Sequence, residues 1–83
     1  DITTETQQVF ANIRAVARAA GGDLENLIKV TVYLTDLGHF QTVNSVMESL
    51  FQEPYPARAA IGVSALPRGA AIEIEGILYV ADG

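Results

Sequence analysis

Residues 28–35 constrain the fold of this chain more than any other stretch. Ile28, Val30, Val32 and Leu34 alternate with Lys29, Thr31, Tyr33 and Thr35. That is the two-residue period of a strand with one face in a core, enriched in β-branched residues. Apolar residues recur at helical spacing on either side of it. Before it, Val9, Ile13, Val16, Ala17 and Ala20 form one stripe, Thr3 or Thr4 caps it, and Gly21-Gly22 ends it. Glu5 in the first turn suits the positive end of the helix dipole. After it, Asp36 caps a second helix whose inner face carries Phe40, Val43, Met47, Leu50 and Phe51. Glu53-Pro54-Tyr55-Pro56 stops that helix, since proline disfavours helix in the residue before it. The strand–helix–strand unit from Ile28 to Ser64 is expected to be a right-handed parallel crossover.

Residues 56–75 then read as two strands joined by a short turn on Pro67 and Gly69, a hairpin. Alternation groups Arg58 with Ala60, Gly62 and Ser64, away from Ala59, Ile61 and Val63. On the next strand Glu73, Glu75, Ile77 and Tyr79 oppose Ile72, Ile74 and Leu78. With Ile61/Val63 and Ile72/Ile74 directed to the core, Arg58 and Glu73 share the other face. A guanidinium beside small residues can grip a carboxylate through two parallel hydrogen bonds, and a nearby carboxylate can orient or deprotonate a water. Each residue also has a structural reading. Arg58 can also be read as an exposed strand-start arginine or an interface ion pair, Glu73 as a structural partner of Arg58 or Lys29, and Glu75 as a salt-bridge partner.

The element order is therefore α-β-α-β-β, an α+β fold with both helices on one face of a mixed sheet. The opposite face, assigned Thr31, Tyr33, Ala60, Gly62, Ile77 and Tyr79, is too apolar to be left in water. Three strands also leave open edges. The expectation is that further strands, another subunit, or both complete the sheet.

Composition narrows the function classes. Eighty-three residues make one domain, and 49% hydrophobic with 18% charged residues is globular. Net charge is −5, and the five basic residues (Arg14, Arg18, Lys29, Arg58, Arg68) are scattered, which argues against a nucleic-acid surface. No cysteine and a single histidine, His39, argue against disulfides and metal sites. No apolar run approaches a membrane span and no secretory segment opens the chain, so a cytoplasmic protein is expected. The start at Asp1 without Met reads as a processed form or a fragment.

Four segments in order resemble the RidA/YjgF family of small enamine and imine deaminases. They are Glu5-x-x-Gln8-x-x-x-Asn12-Ile13 with Ala19-Ala20-Gly21; Val30-Thr31-Val32-Tyr33-Leu34-Thr35-Asp36-Leu37 with Phe40 and Val43-Asn44; Pro56-Ala57-Arg58 with Leu66-Pro67; and Ile72-Glu73-Ile74-Glu75. The resemblance implies a chorismate-mutase-like fold and a homotrimer with sites at the subunit interfaces. It implies hydrolysis of 2-imino or 2-enamino acids to 2-oxo acids and ammonia, without metal or organic cofactor, nucleic acid or membrane. In such a site Arg58 would bind the substrate carboxylate, Glu73 would hold or activate water, and Asn44 would line the cleft. Chemistry agrees, because a facile hydrolysis asks mainly for a fixed acid and a placed water.

The chain departs from the family pattern in three ways. Strands that precede the first helix in the family are missing, so residues 1–83 are expected to form a single RidA-like domain, N-terminally incomplete. Ala60 stands where a cysteine is common, and Met47 where an aromatic residue is common. Two rival functions stay open: a non-catalytic or chaperone-like trimer that holds small carboxylates, and a structural module. Among the remaining residues, Asn44 is equally a local backbone partner, and Asn12 a helix-end or loop anchor. Tyr33 and Tyr79 are assigned to packing between subunits, and His39 to solvent.

Overall fold

A computed structural model describes residues 1–80. Helix α1 spans Ile2–Ala19, strand β1 Leu27–Leu34, helix α2 Phe40–Leu50, strand β2 Ala57–Gly62 and strand β3 Ile72–Leu78. Single 3-10 turns at Leu24–Asn26, Leu37–His39 and Pro67–Gly69 join them. The α-β-α-β-β order of an α+β fold is as expected.

The strand order is β2-β1-β3, with β1 parallel to β2 and antiparallel to β3. The expected hairpin is therefore not formed, because β1 lies between its two arms. The connection shows why. Its first residue ties back to the end of β1, Val63 N–H donating to the Leu34 carbonyl (2.9 Å). Its last residue does the same, the Ala71 carbonyl accepting from Thr35 N–H (3.2 Å). Residues 63–71 thus cross over the end of β1 and deliver β3 to its far edge. The tight part of the crossing places both Arg68 (φ 60°) and Gly69 (φ 68°) in the left-handed region.

Register settles which side chains share a face. Val30, Val32 and Leu34 align with Arg58, Ala60 and Gly62 on β2, and with Gly76, Ile74 and Ile72 on β3. This is the face that both helices cover. Lys29, Thr31 and Tyr33 align with Ala57, Ala59 and Ile61, and with Ile77, Glu75 and Glu73, on the open face. The expected phase of β2 is thereby reversed. Arg58, Ala60 and Gly62 lie on the helix side, and Ile61, 44% exposed, lies on the open side. All six β2 residues are exposed, so burial does not set its phase and only the ladder with β1 does.

The core joins Phe10 of α1, Leu24, Leu27, Val30, Val32 and Leu34 of the centre, Val43 and Met47 of α2, Phe51, and Ile72 of β3. Each fully buried Val, Leu or Phe contributes about 1.5–3 kcal/mol. Phe10 and Phe51 meet edge to face at 5.6 Å, tying α1 to the end of α2. Helix α1 is rotated from its expected stripe. Val9, Ile13 and Ala17 of that stripe still pack on the core, but Phe10 and Thr6 join them as buried residues and Val16 is 71% exposed. Thr6 is tolerated there because its hydroxyl donates to the Ile2 carbonyl (2.6 Å). The cap is Asp1, whose carboxylate accepts from Thr4 N–H (2.8 Å), in place of Thr3 or Thr4.

At the other end of α1, Gly21 takes φ 94°, and Gly22 and Gly21 N–H groups donate to the Ala17 and Arg18 carbonyls. This paired closure explains the Gly-Gly stop. Asn12 is mid-helix and exposed, accepting from Gln8, and anchors no loop. A register shift between Leu27 and Lys29 turns Leu27 into the core and leaves Ile28 55% exposed, against the simple alternation. Helix α2 buries Val43, Met47 and additionally Val46. Strand β3 ends at Leu78, and the expected end near Ala81 lies outside the described residues.

Candidate carboxylate site beside Arg58

Strand β2 begins one residue before Arg58, and its register with Val30 points that residue toward α2. The arginine borders a cavity of about 140 Å³ together with Met47, Glu48 and Phe51 from the α2 side, and with Tyr55 and Pro56. Met47 and Phe51 give it a buried apolar floor, while Glu48, Tyr55 and Arg58 stand exposed at its rim. Among the described residues Arg58 makes no ion pair and no side-chain hydrogen bond. On its own strand Ala60 and Gly62 follow on the same face, and the Leu37 side chain lies against Gly62.

Glu73 is not brought to this cavity. It aligns with Tyr33 on the open face, on the strand at the opposite edge of the sheet. The shared face expected for Arg58 and Glu73 fails for two reasons: β2 has the reverse phase, and β1 separates the strands. Glu73 pairs with neither Arg58 nor Lys29 within the described residues. Glu75 forms no salt bridge either. It accepts a hydrogen bond from the Tyr33 hydroxyl at 2.7 Å. That bond, then desolvation and the charges of Glu75 and Glu73, push the Tyr33 phenol above its ordinary pKa of 10.0. Tyr79 is 64% exposed.

Asn44 does not line the cavity itself. Its Nδ2 donates to Glu48 Oε1 (3.1 Å) one turn along α2, while its Oδ1 is buried without a partner. Glu48 is the cavity residue that the sequence reading passed over. The i, i+4 spacing of Asn44 and Glu48, one turn ahead of Phe51, is the signal that could have found it. His39 is half-buried, its Nε2 3.8 Å from Asp36 Oδ2, so it has a local partner as well as solvent.

A second arginine cluster closes the end of α1. Asp23 accepts from Leu24 N–H (2.7 Å), Arg14 Nε (2.9 Å) and Arg18 Nε (3.0 Å). The backbone donor first, then the two guanidinium groups, lower its pKa from 3.8 to about 2. The larger cavity beside it, about 520 Å³, is lined by Asp23, Glu25, Asn26, Gln52 and Glu53 as well as Arg14. Its one cation is already committed to Asp23, which makes the smaller Arg58 cavity the stronger candidate for an anion. Among the described residues no group of three or more His, Cys, Asp or Glu could hold a metal ion. No helix there is long and apolar enough to cross a membrane.

The family model described as Endoribonuclease L-PSP matches residues 1–80. The chain belongs to the RidA/YjgF family. A RutC family protein from Sinorhizobium fredii is 50% identical over 74 residues, 89% of this chain and 59% of the relative. The 2-iminobutanoate/2-iminopropanoate deaminase of Bos taurus is 46% identical over 76 residues, 92% of this chain and 56% of that protein. Among solved structures, RidA from an Antarctic Psychrobacter matches with a TM-score of 0.88 and 52% identity, over 90% of this chain and 61% of that one. The chain thus spans about three fifths of the length of these RidA/YjgF relatives.

Proposed function

We propose that this chain serves the hydrolytic deamination of 2-imino and 2-enamino acids to 2-oxo acids and ammonia, with Arg58 as the carboxylate anchor. The observation that carries the reading is the Arg58 guanidinium, unpaired among the described residues, on the edge of a small, largely apolar cavity. The deaminase names of relatives such as the bovine protein support it. The net charge of −5 does not favour the polyanionic substrate of an endoribonuclease. A cytoplasmic location belongs to the same proposal.

The chemistry asks little of the protein. Water adds to C2 of the C=N group, giving a tetrahedral 2-amino-2-hydroxy acid. The nitrogen takes up a proton, the C–N bond breaks, ammonia leaves, and loss of the hydroxyl proton gives the 2-oxo acid. Arg58 fixes the carboxylate so that C2 faces the water. Glu73 holds or activates that water. Because Glu73 and Arg58 occupy opposite faces and opposite edges of one sheet, they meet at one substrate when neighbouring subunits contribute one each. The proposed assembly is a homotrimer, its contacts using the open face of Tyr33, Ile61 and Ile77.

The test is ammonia release from a freshly generated 2-iminopropanoate. Acceleration supports the proposal, and binding of pyruvate without release favours a carboxylate-holding protein instead. The shared site is tested by mixing inactive Arg58→Ala and Glu73→Gln chains. Random assembly restores up to about a quarter of the sites if they lie between subunits, and none if each site lies within one chain.

A further inference from the structure

The chain has no cysteine and one methionine, so Met47 carries its only sulfur. That residue is 4% exposed and belongs to the core cluster, yet it also lines the cavity that Arg58 borders. The cavity, about 140 Å³, is about ten times the roughly 10–15 Å³ that one water molecule requires, so hydrogen peroxide fits inside. A thioether is a weak acceptor and no donor, which suits a floor shared with Phe51. A sulfoxide in its place is polar, and its oxygen needs a donor. Around this cavity the choice of donor is narrow. Phe51 and Pro56 have none in their side chains, and the Glu48 carboxylate only accepts. Asn44, which does not line the cavity, already donates to Glu48 (3.1 Å). The Tyr55 hydroxyl and the Arg58 guanidinium remain, and the charged donor makes the stronger bond. Arg58 is uncommitted among the described residues.

We infer that Met47 is an oxidation site that switches the Arg58 cavity off. A hydroperoxide entering the empty cavity converts the thioether to a sulfoxide, which engages the Arg58 guanidinium and shuts out carboxylates. The inference rests on the role of Arg58 proposed above and adds regulation to it. A sulfur lone pair attacks one peroxide oxygen, so the S–O bond forms as the O–O bond breaks. This gives a protonated sulfoxide and hydroxide, and proton transfer between them leaves the sulfoxide and water. Sulfur loses two electrons and the peroxide gains them. Because peroxide reaches Met47 through the cavity, a bound carboxylate shields it. An occupied site is therefore protected and an idle one is switched off, until a sulfoxide reductase restores the thioether.

The experiment treats the 83-residue chain with hydrogen peroxide, removes the excess with catalase, and reads mass and 2-iminopropanoate hydrolysis together. One oxygen atom should be gained at Met47, with hydrolysis falling roughly tenfold or more as the sulfoxide forms. Methionine sulfoxide reductase should restore it. Propanoate, a carboxylate that does not consume peroxide, should slow the oxidation roughly tenfold at about ten times its Kd. Arg58→Ala should remove that protection. Met47→Leu, compared only with itself, should be unaffected by peroxide. In NMR spectra the Arg58 Nε–H resonance should shift on oxidation while that of Arg68, outside the cavity, stays in place. Resistance of Met47 where free methionine oxidises, no protection by propanoate, full hydrolysis by the sulfoxide form, or equal loss in Met47→Leu overturns the inference. If Met47→Leu does not fold, a loss that the reductase fails to reverse overturns it in the variant's place. Protection that survives Arg58→Ala, or an untreated chain that neither hydrolyses the imine nor binds propanoate, overturns the reading of Arg58. The Arg58 resonance then decides the inference separately, and an unmoved signal overturns it.

Discussion

Arg14 and Arg18 share one carboxylate, whereas Arg58 has none among the described residues. The first two converge on Asp23, which also caps the turn after α1, so these three charges satisfy one another within the chain. Arg58 stands on an edge strand, backed by small residues and walled by apolar side chains, with its guanidinium uncommitted. The same functional group is a clamp in one place and an open valence in the other. Exposure does not distinguish them, since Arg18 is 61% exposed in its side chain and still paired. What distinguishes them is whether the fold itself supplies the counter-charge. A paired arginine should matter for stability and not for chemistry, and an unpaired one for chemistry and not for stability.

The strongest way to break that contrast is to delete each kind. Arg58→Ala should lower imine hydrolysis at least about a hundredfold while moving the melting temperature by no more than about two degrees. Asp23→Ala should do the reverse, lowering the melting temperature by roughly 4–8 °C with hydrolysis unchanged. Differential scanning calorimetry beside a hydrolysis assay reads both, and a crossed result would dissolve the distinction. Arg58→Lys sharpens it, because the charge remains and the planar fork is lost. A fall of roughly tenfold in hydrolysis is expected.

Smaller effects appear in pH. Asp23 has a folded pKa of about 2 against 3.8 ordinarily, so its stabilising contribution is complete above about pH 4 and disappears as pH falls toward 2. Asp23→Asn should flatten the decline in stability across that window, while Arg58→Ala should leave it as it is. Tyr33 gives the smallest and opposite signature. Its folded pKa is raised, so its contribution is complete below pH 10 and is lost as pH rises through the higher folded value. Tyr33→Phe should remove that alkaline dependence in equilibrium unfolding.

Legibility followed burial. Alternation along β1 and the α2 stripe could be read because Val30, Val32, Leu34, Val43 and Met47 face a core that admits only apolar side chains. Where burial stops, the pattern carried no phase. Strand β2 is Ala, Gly, Ile and Arg with every residue exposed, and Ile61 pulled its expected inner face the wrong way. Thr6 was invisible for the opposite reason, a polar residue made buryable by a bond to its own helix. Strand order was half readable: the strand–helix–strand unit implied the parallel β1–β2 pair, but periodicity shows that β3 exists and not that it pairs with β1 in place of β2. The site divides along the same line. Arg58 was found by residue type and motif, while its separation from Glu73 and its proximity to Glu48 depend on ladder register and helix packing.

The most direct measurement times 2-oxo acid appearance when a dehydratase supplies the imine, with the unaltered chain, Arg58→Ala and Asp23→Asn side by side. The expected result is acceleration by the unaltered chain and by Asp23→Asn, and none above the uncatalysed rate by Arg58→Ala. Full acceleration by Arg58→Ala would contradict the claim that its uncommitted guanidinium anchors the substrate.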